Sequence, residues 1–169
     1  MCRHAATYNE NMRSLLCLSI AAAGFACAQD KYAGPRPPKP DVLYLVHADN
    51  LIPTEVTEAK GESKRNETVY TVPGAGSTAR TPLAEPIFII QADKIQPQAL
   101  ELYRADVKGG RREFTMVQKR TRGSPKPLRL TVSRLDGGLY RVEVDETIEN
   151  GEYAISPNAS NTVFCFAVY

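Results

Sequence analysis

Apolar and polar residues alternate with a period of two along most of the chain after residue 41. This period is typical of β-strands, whose successive side chains point to opposite faces of a sheet. The predicted strands are VLYLVH at 42–47, EVTEA at 55–59, ETVYTV at 67–72, IFIIQ at 87–91, RREFTMVQ at 111–118, LRLTVSR at 128–134 and YRVEVDE at 140–146. The polar stretch GESKRN at 61–66 is predicted to be the turn of a hairpin between 55–59 and 67–72.

The clearest predicted unit is a hairpin from Leu128 to Glu146. Apolar residues occupy every second position on both of its arms, and Asp136-Gly137-Gly138 supplies the turn. The alternation predicts one buried and one solvent-facing side. On the solvent-facing side, basic residues of the first arm lie near acidic residues of the second. Cross-strand pairs of opposite charge stabilise a hairpin.

Residues 97–110, PQALELYRADVKGG, fit two kinds of element. A helix would begin at Pro97 and end at the glycines, with Leu100, Tyr103 and Val107 along one side. A strand would instead turn through Lys108-Gly109-Gly110 into the strand at 111–118. The strand is favoured because its neighbours on both sides are predicted strands. In total, about eight to ten short strands and no long amphipathic helix predict an all-β fold, an antiparallel β-sandwich that forms a single domain over 41–169.

The first 28 residues are predicted to be a signal peptide. Residues 13–28, RSLLCLSIAAAGFACA, place an arginine before an apolar run and end in small residues, which favours cleavage after Ala28. Met12 is the expected start, because the preceding residues carry Glu10 and no apolar pattern. The apolar run is too short for a transmembrane helix. We therefore expect an exported protein that is periplasmic, secreted or on the cell surface.

Two features around the predicted cleavage site bear on how the mature chain begins. Cys27 raises the alternative of a lipid anchor, since bacterial lipoproteins are cut before a cysteine. Phe25 and the lack of a leucine three places before the cysteine disfavour that processing. Residues 29–40, which contain GPRPPKP, are predicted to be an extended proline-rich spacer.

The stretch Glu149-Asn150-Gly151-Glu152-Tyr153 resembles the acid-x-Gly-x-Tyr corner of immunoglobulin-like domains. The resemblance implies an immunoglobulin-like or fibronectin-like sandwich from an exported bacterial protein, with Gly151 and Tyr153 as structural residues. It also implies that the hydroxyl of Tyr153 bonds back to nearby backbone, that 152–156 is the penultimate strand, and that 162–168 is the last. Two departures from antibody domains are Ile155, where those domains have a cysteine, and the lack of tryptophan.

Candidate catalytic groups are few beyond the leader. Cys165 lies between two phenylalanines in an apolar run and is interpreted as a structural, inert core thiol. His47 is interpreted as a surface residue at a strand end, without the spacing of a metal site. The glycine-rich PGAGSTAR at 73–80 lacks the lysine of a phosphate-binding loop and is interpreted as a flexible connection. No catalytic residue, metal or cofactor is expected.

Charge is distributed unevenly along the second half of the chain. Residues 104–134 contain ten basic and two acidic residues, whereas 135–154 contain six acidic residues and one arginine. One interpretation is that these residues neutralise each other across adjacent strands. The other is that the basic loop 118–127 binds a polyanion such as an acidic glycan. The ligand-binding residues would then be Lys119, Arg120, Arg122 and Lys126.

These observations lead to three hypotheses of function. The first is a non-enzymatic exported β-sandwich module that acts through contacts with a protein or cell-envelope partner. The second is a binder of anionic glycan or another polyanion through 118–127. The third is a hydrolase or a hydrolase-accessory domain, with carboxylates contributed by distant strands. Nucleic acid is not an expected partner, because export removes the usual target and no aromatic residues interleave the basic ones for base stacking.

Overall fold

The protein is described by a computed structural model over residues 32–64, 67–117, 126–158 and 160–169. These residues form thirteen β-strands and one short 3-10 helix, Pro97–Ala99. The strands are β1 Tyr44–His47, β2 Asn50–Pro53, β3 Glu55–Glu58, β4 Lys60–Lys64, β5 Glu67–Pro73, β6 Arg80–Thr81, β7 Ile87–Gln91, β8 Leu100–Lys108, β9 Arg111–Val117, β10 Leu130–Asp136, β11 Leu139–Val144, β12 Gly151–Pro157 and β13 Thr162–Val168.

The predicted all-β antiparallel sandwich is confirmed, since the strands form two sheets. The smaller sheet has the order β10-β11-β7-β1-β2, and the larger has the order β3-β13-β12-β8-β9-β5-β4, with β6 also paired to β13. The pairing of β6 with β13 is parallel, and the other pairings are antiparallel. The described residues contain more strands than expected because β2, β4 and β6 are short and lack the period-two pattern.

Leu100–Lys108 form a strand, so the strand interpretation of residues 97–110 is correct. Strand β8 follows the short 3-10 helix and pairs with β9 through Lys108 opposite Arg111. The two loop residues, Gly109 and Gly110, have φ of +57° and +75°, which L side chains adopt only at a cost. The predicted hairpin of Leu128 to Glu146 is also present, as β10 paired with β11.

The hairpin predicted between 55–59 and 67–72 is wrong. Part of its supposed turn is strand β4, which is the hairpin partner of β5, whereas β3 pairs with β13. Polar composition alone suggested a turn, but Gly61 has a packing reason to be in a strand. A Cβ at Gly61 would lie 3.1 Å from the ring of Tyr70 and 3.2 Å from the methyl of Thr68, so glycine allows β5 side chains to cover β4.

The first core lies between the two sheets, and we call it the sandwich core. It is apolar, and Phe88 of β7 meets Phe166 of β13 there edge to face, with ring centroids 4.9 Å apart. Its fully buried aliphatic side chains come from both sheets: Leu43, Leu45, Ile90, Leu102, Val142 and Ile155. This is the packing expected when two sheets each bury one apolar face.

The larger sheet is strongly curled. Its first and last strands, β3 and β4, are joined by the single residue Ala59. Seven strands in a flat sheet would separate these edges by about 29 Å. Because Glu58 and Lys60 are two residues apart, their Cα atoms lie within about 7.6 Å of each other. The two edges therefore approach one another, and the concave face of the sheet encloses a second interior.

This second interior, which we call the curled-sheet interior, has an aromatic stack at its centre. Phe114 lies between Tyr70 and Tyr103, with ring centroids 5.5 Å and 6.0 Å away. The other buried apolar side chains are small: Ala59, Val72, Ala105, Ala154, Val163 and Cys165. Cys165 is buried as predicted, with 1% of its surface exposed, but it lies here and not in the sandwich core.

The chain before β1 lies partly outside the described residues. The predicted signal peptide, residues 1–28, and the first residues of the predicted spacer fall there, so those boundaries stay predictions. The described part of the spacer contacts the smaller sheet, because Arg36 donates to Asp136 at 2.5 Å. At the predicted start of the domain, the amide of Asp41 donates to the carbonyl of Gln91. Nowhere in the described part of the chain is there a helix long and apolar enough to cross a bilayer.

Candidate functional site

Arg112 lies at the centre of a polar cluster inside the curled sheet. Its position on β9 is two residues from Phe114, so strand alternation points both side chains to the concave face. Arg112 is 1% exposed and makes five hydrogen bonds. A buried arginine with this many partners is an anchoring group, because an unpaired charge in that place would be strongly unfavourable.

The main partner of Arg112 is Glu55 on β3. The two guanidinium NH groups donate to the two carboxylate oxygens, with Nη1 to Oε2 at 3.0 Å and Nη2 to Oε1 at 2.8 Å. Strands β9 and β3 are four positions apart along the larger sheet, and only the curl brings these side chains together. The bidentate pair therefore links two distant strands across the curled-sheet interior.

The same arginine holds the glycine-rich loop 73–79. It donates to the carbonyls of Pro73 and Gly74 at 2.9 Å and 3.1 Å, and to the hydroxyl of Ser77 at 2.6 Å. Ser77 in turn donates from its hydroxyl and its amide to one carboxylate oxygen of Glu152, at 2.6 Å and 3.0 Å. The loop was expected to be a flexible connection, but these bonds anchor it to β9 and β12.

Electrostatics in this cluster favour the charged arginine and the neutral thiol. Burial alone would lower the pKa of Arg112, but its hydrogen bond to Glu55 and the nearby carboxylates outweigh burial and raise that pKa. Burial raises the pKa of Cys165 to about 12, against the opposing effect of Arg112. Since the thiolate is the nucleophilic form of cysteine, the raised pKa makes Cys165 a poor nucleophile at neutral pH.

The carboxylates Glu55 and Glu152 are the pair that tertiary structure brings together in this interior. Both lie within 4 Å of Arg112, and their side chains are 25% and 13% exposed. Glycoside hydrolysis needs two carboxyl groups that flank a substrate, with one of them able to donate a proton. Here a guanidinium occupies the space between them, so the arrangement stabilises the fold and offers no acid–base pair to a substrate.

Lys126 is the one member of the predicted polyanion site that lies within the described residues. Lys119, Arg120 and Arg122 lie outside them. Lys126 is exposed and lines a groove of about 360 Å³ on the outer surface of β8 and β9. Charged side chains of both signs share that groove with it: Arg104, Asp106, Lys108 and Glu113.

Several basic residues of 104–134 are paired with acidic side chains. Arg104 lies 2.6 Å from Glu149, which belongs to the acidic stretch 135–154, and Lys108 lies 3.1 Å from Asp106. Arg111 lies 2.8 Å from Glu113. All these pairs are on the surface, where each contributes little to stability. They reduce the net positive potential that the sequence suggested for this region.

Tyr153 and Gly151 lie at the start of β12, where the resemblance to immunoglobulin-like domains puts them. The hydroxyl of Tyr153 donates to the carbonyl of Glu149 at 2.7 Å, and its ring stacks on Phe166 with centroids 5.5 Å apart. Burial raises the pKa of Tyr153. Gly151 lies beside Arg104, whose guanidinium would be 3.6 Å from an added Cβ. These contacts belong to the sandwich and bring no reactive group to the surface.

His47 is exposed at the end of β1, in agreement with its interpretation as a surface residue. Among the described ranges, no three histidine, cysteine, aspartate or glutamate side chains are grouped so that they could hold a metal ion.

Sequence reasoning missed the cluster of Arg112, Glu55, Ser77 and Glu152. One signal for it was present, since Arg112 has the same parity as Phe114 and Met116 in RREFTMVQ. A period-two pattern that is apolar on one face therefore places this arginine inside. Its partners carried no comparable signal, because they belong to three separate segments of the chain.

No family model, no curated protein and no solved structure matches this chain.

Proposed function

We propose that this chain is a non-enzymatic, exported β-sandwich module that acts through contacts with a protein or a cell-surface partner. The observation that carries the proposal is the saturation of the reactive groups in the curled-sheet interior. Arg112 binds both carboxylates that meet there, and the nearby thiol of Cys165 stays protonated. The chemistry-bearing side chains that fold together thus hold the scaffold and leave the surface for binding.

We further propose that the sandwich is of the immunoglobulin-like kind. In that family one sheet has the strand order A-B-E-D and the other contains C, F and G. The order β1-β7-β11-β10 fits the first sheet, and β8-β12-β13 fits the second. The tyrosine bond at the start of β12 fits the corner that opens strand F. Strands β2 to β6 would then be an insertion between strands A and B, of which β3, β4 and β5 extend the larger sheet.

Export is supported by the leader at 13–28 and is tested by the mature N-terminus. Mass spectrometry of the native protein should find Gln29 as the first residue, in an envelope or secreted fraction. A chain that keeps Met1 in a cytosolic fraction would contradict export. A lipid-modified Cys27 would replace the soluble form with an anchored one.

The contact function is tested by cross-linking in the native envelope, followed by identification of the partner and binding of the purified components. We expect the partner to bind residues 29–169 in the folded state. The control is the Arg112→Met variant at a urea concentration that unfolds it and leaves the wild type folded, where only the variant should lose binding. Turnover of substrate by the purified wild-type protein would contradict the non-enzymatic proposal.

Polyanion binding through 118–127 is a second candidate. Its support is Lys126, which is exposed and lines a groove together with Lys108 and Arg104. The test is retention on heparin or an anionic-glycan resin. Replacing Lys119, Arg120, Arg122 and Lys126 with alanine should abolish retention, whereas replacing exposed Lys39, Lys60, Lys94 and Arg134 should reduce it only slightly. Retention that survives the first set of changes would eliminate this site.

A further inference from the structure

Strand β10 forms one edge of the smaller sheet. Its inner neighbour is β11. Within the described ranges no strand pairs with the other side of Leu130–Asp136, and the one bridge beside this edge joins Leu128, just before β10, to Leu102 of β8. An edge strand presents unpaired backbone N–H and C=O groups and so can accept another strand. At seven residues, β10 is longer than the other edge strands β2, β3 and β4.

The edges of this molecule differ in how they discourage pairing. Strand β4 carries charged residues at Lys60 and Glu62, and β2 ends in Pro53. Charges and proline are common means of blocking an edge. By contrast, the first four residues of β10 are Leu130-Thr131-Val132-Ser133, a sequence with high strand propensity and no charge.

The apolar core reaches the surface beside this edge. Leu128, Leu130 and Val132 pack against the sandwich core but are only partly buried. Next to them is a groove of about 290 Å³, which we call the edge groove. Its lining includes Leu100, Leu128 and Leu130 together with the polar side chains of Gln98, Glu101 and Asn158. A strand added to β10 would place alternate side chains over this apolar lining.

Charge along the edge indicates the chemistry of the occupant. Lys126, Arg129 and Arg134 are exposed along β10 and the residues before it, and Glu101 is the acidic residue that lines the edge groove. The side chain of Arg129 is 71% exposed. Its guanidinium lies 3.9 Å from the carboxylate of Glu146 and donates to the carbonyl of Asp145 at 3.1 Å, so its charge is only loosely paired. An incoming acidic strand would form favourable cross-strand pairs with these cations.

We propose that β10 accepts an extended acidic segment of a partner protein as an added strand, with one of its apolar side chains in the edge groove. This proposal rests on the contact function proposed above and names its surface. A second copy of the chain is a poorer occupant. Pairing β10 with itself would bring Arg129 and Arg134 of both copies close together, and like charges across a pair destabilise it.

The test uses the full chain and a synthetic peptide as long as β10, in which valine alternates with glutamate. A peptide with lysine in place of glutamate is the control. We expect saturable binding of the acidic peptide only, with slower amide hydrogen exchange in β10 and no change in β2, the opposite edge of the same sheet. Binding without protection of β10, or equal binding of both peptides, would overturn the proposal.

Charge variants sharpen the test. Arg134→Glu should weaken binding of the acidic peptide by about two- to fivefold, the effect of one cross-strand charge pair. Lys60→Glu on β4 is the matched control and should leave binding unchanged. Equal effects of the two variants would show a general attraction to positive charge and would overturn the assignment to β10.

Two outcomes separate this proposal from the contact function. If neither peptide binds but the native partner is still captured, the edge assignment fails and the contact function stands. If β10 amides become protected as protein concentration rises without peptide, a second copy occupies the edge and the acidic-partner proposal is overturned.

Discussion

The two interiors of this molecule are built differently. The sandwich core is apolar and is held by contacts between two separate sheets, such as Phe88 against Phe166. The curled-sheet interior has small apolar side chains and an aromatic stack, and it adds a buried ion pair between Arg112 and Glu55. Apolar packing is non-directional, whereas a bidentate ion pair fixes the relative positions of two strands.

This difference suggests different roles for the two kinds of contact. A buried ion pair is weak evidence for stability, since its desolvation can cost as much as its attraction provides. Its geometric value is clearer here, because Arg112 joins β9 to β3 and also holds the loop at 73–79. We therefore expect the sandwich core to determine that the chain folds, and the cluster to determine how the larger sheet closes.

The largest predicted effect comes from breaking the cluster at its centre. Arg112→Met should lower the free energy of unfolding by about 3–5 kcal/mol, because it leaves Glu55 and Glu152 without their cation. Urea unfolding of the full chain measures the change. The double variant Arg112→Met with Glu55→Gln should recover part of the loss, since it removes one unpaired carboxylate. A loss for Arg112→Met below about 1 kcal/mol would show that the cluster does not hold the curled sheet.

A smaller loss of stability is expected from a substitution in the loop 73–79 that removes no charge. Ser77→Ala deletes the hydroxyl that links Arg112 to Glu152, and we expect a loss of about 1–2 kcal/mol. Local opening should make Cys165 more accessible, so its alkylation, followed by peptide mass spectrometry, should accelerate relative to the wild type. Ser133→Ala, the same change at an exposed position of β10, is the control and should leave the rate unchanged. Unchanged alkylation of Cys165 in Ser77→Ala would mean that the loop does not cover this interior.

In the sandwich, the hydrogen bond comparable to those of Ser77 is the one donated by the hydroxyl of Tyr153. Tyr153→Phe removes the bond to the carbonyl of Glu149 and keeps the ring stacked on Phe166, so a loss of about 1 kcal/mol is expected. Thermal and urea unfolding should give the same ranking. Tyr32→Phe, on the spacer, is the control and should be close to neutral. A neutral Tyr153→Phe would leave the corner without an energetic role.

The smallest effect concerns a titratable contact at the margin of the sandwich. Burial opposes ionisation of Asp41, but its hydrogen bonds from the amides of Asp93, Ile95 and Lys94 outweigh this and lower its pKa from 3.8. A lowered folded-state pKa gives stability that is present above pH 3.8 and is lost as the pH falls through the folded value.

Asp41→Asn should therefore reduce stability by about 0.5 kcal/mol at neutral pH, the low end for a hydrogen-bonded group with partial solvent access. The difference from the wild type should shrink as the pH is lowered below 3.8. Asp49→Asn in the β1–β2 turn is the control. A difference that grows at low pH would contradict the sign of the pKa shift.

Local pattern was enough to predict much of the sandwich. The strand at β8 was predicted from its neighbours and the last strand β13 from the resemblance at Tyr153. The hairpin of β10 and β11 follows from period-two alternation and turn residues, which act over short sequence distances. The same rules failed for β4, because its pairing with β5 depends on a glycine that admits Tyr70. Packing between strands decided that element, and composition alone could not.

The candidate site was less predictable than the fold. The polyanion hypothesis came from a run of positive charge, but sequence cannot say which carboxylates fold beside it. Arg104 pairs with Glu149, 45 residues away, and Lys108 pairs with Asp106 on its own strand. Lys126 remains a candidate because it is exposed and lines the groove on β8 and β9.

The sequence by itself determined that this chain forms an antiparallel β-sandwich, and the parity of its residues determined which side chains are buried. Only the tertiary structure decided that β3 and β4 bring the edges of one sheet together. Only that closure lets Arg112 reach Glu55, 57 residues away. Alternation along a strand fixes the face on which a side chain lies, but the neighbour across an interior depends on strand order and curvature, which local pattern does not encode.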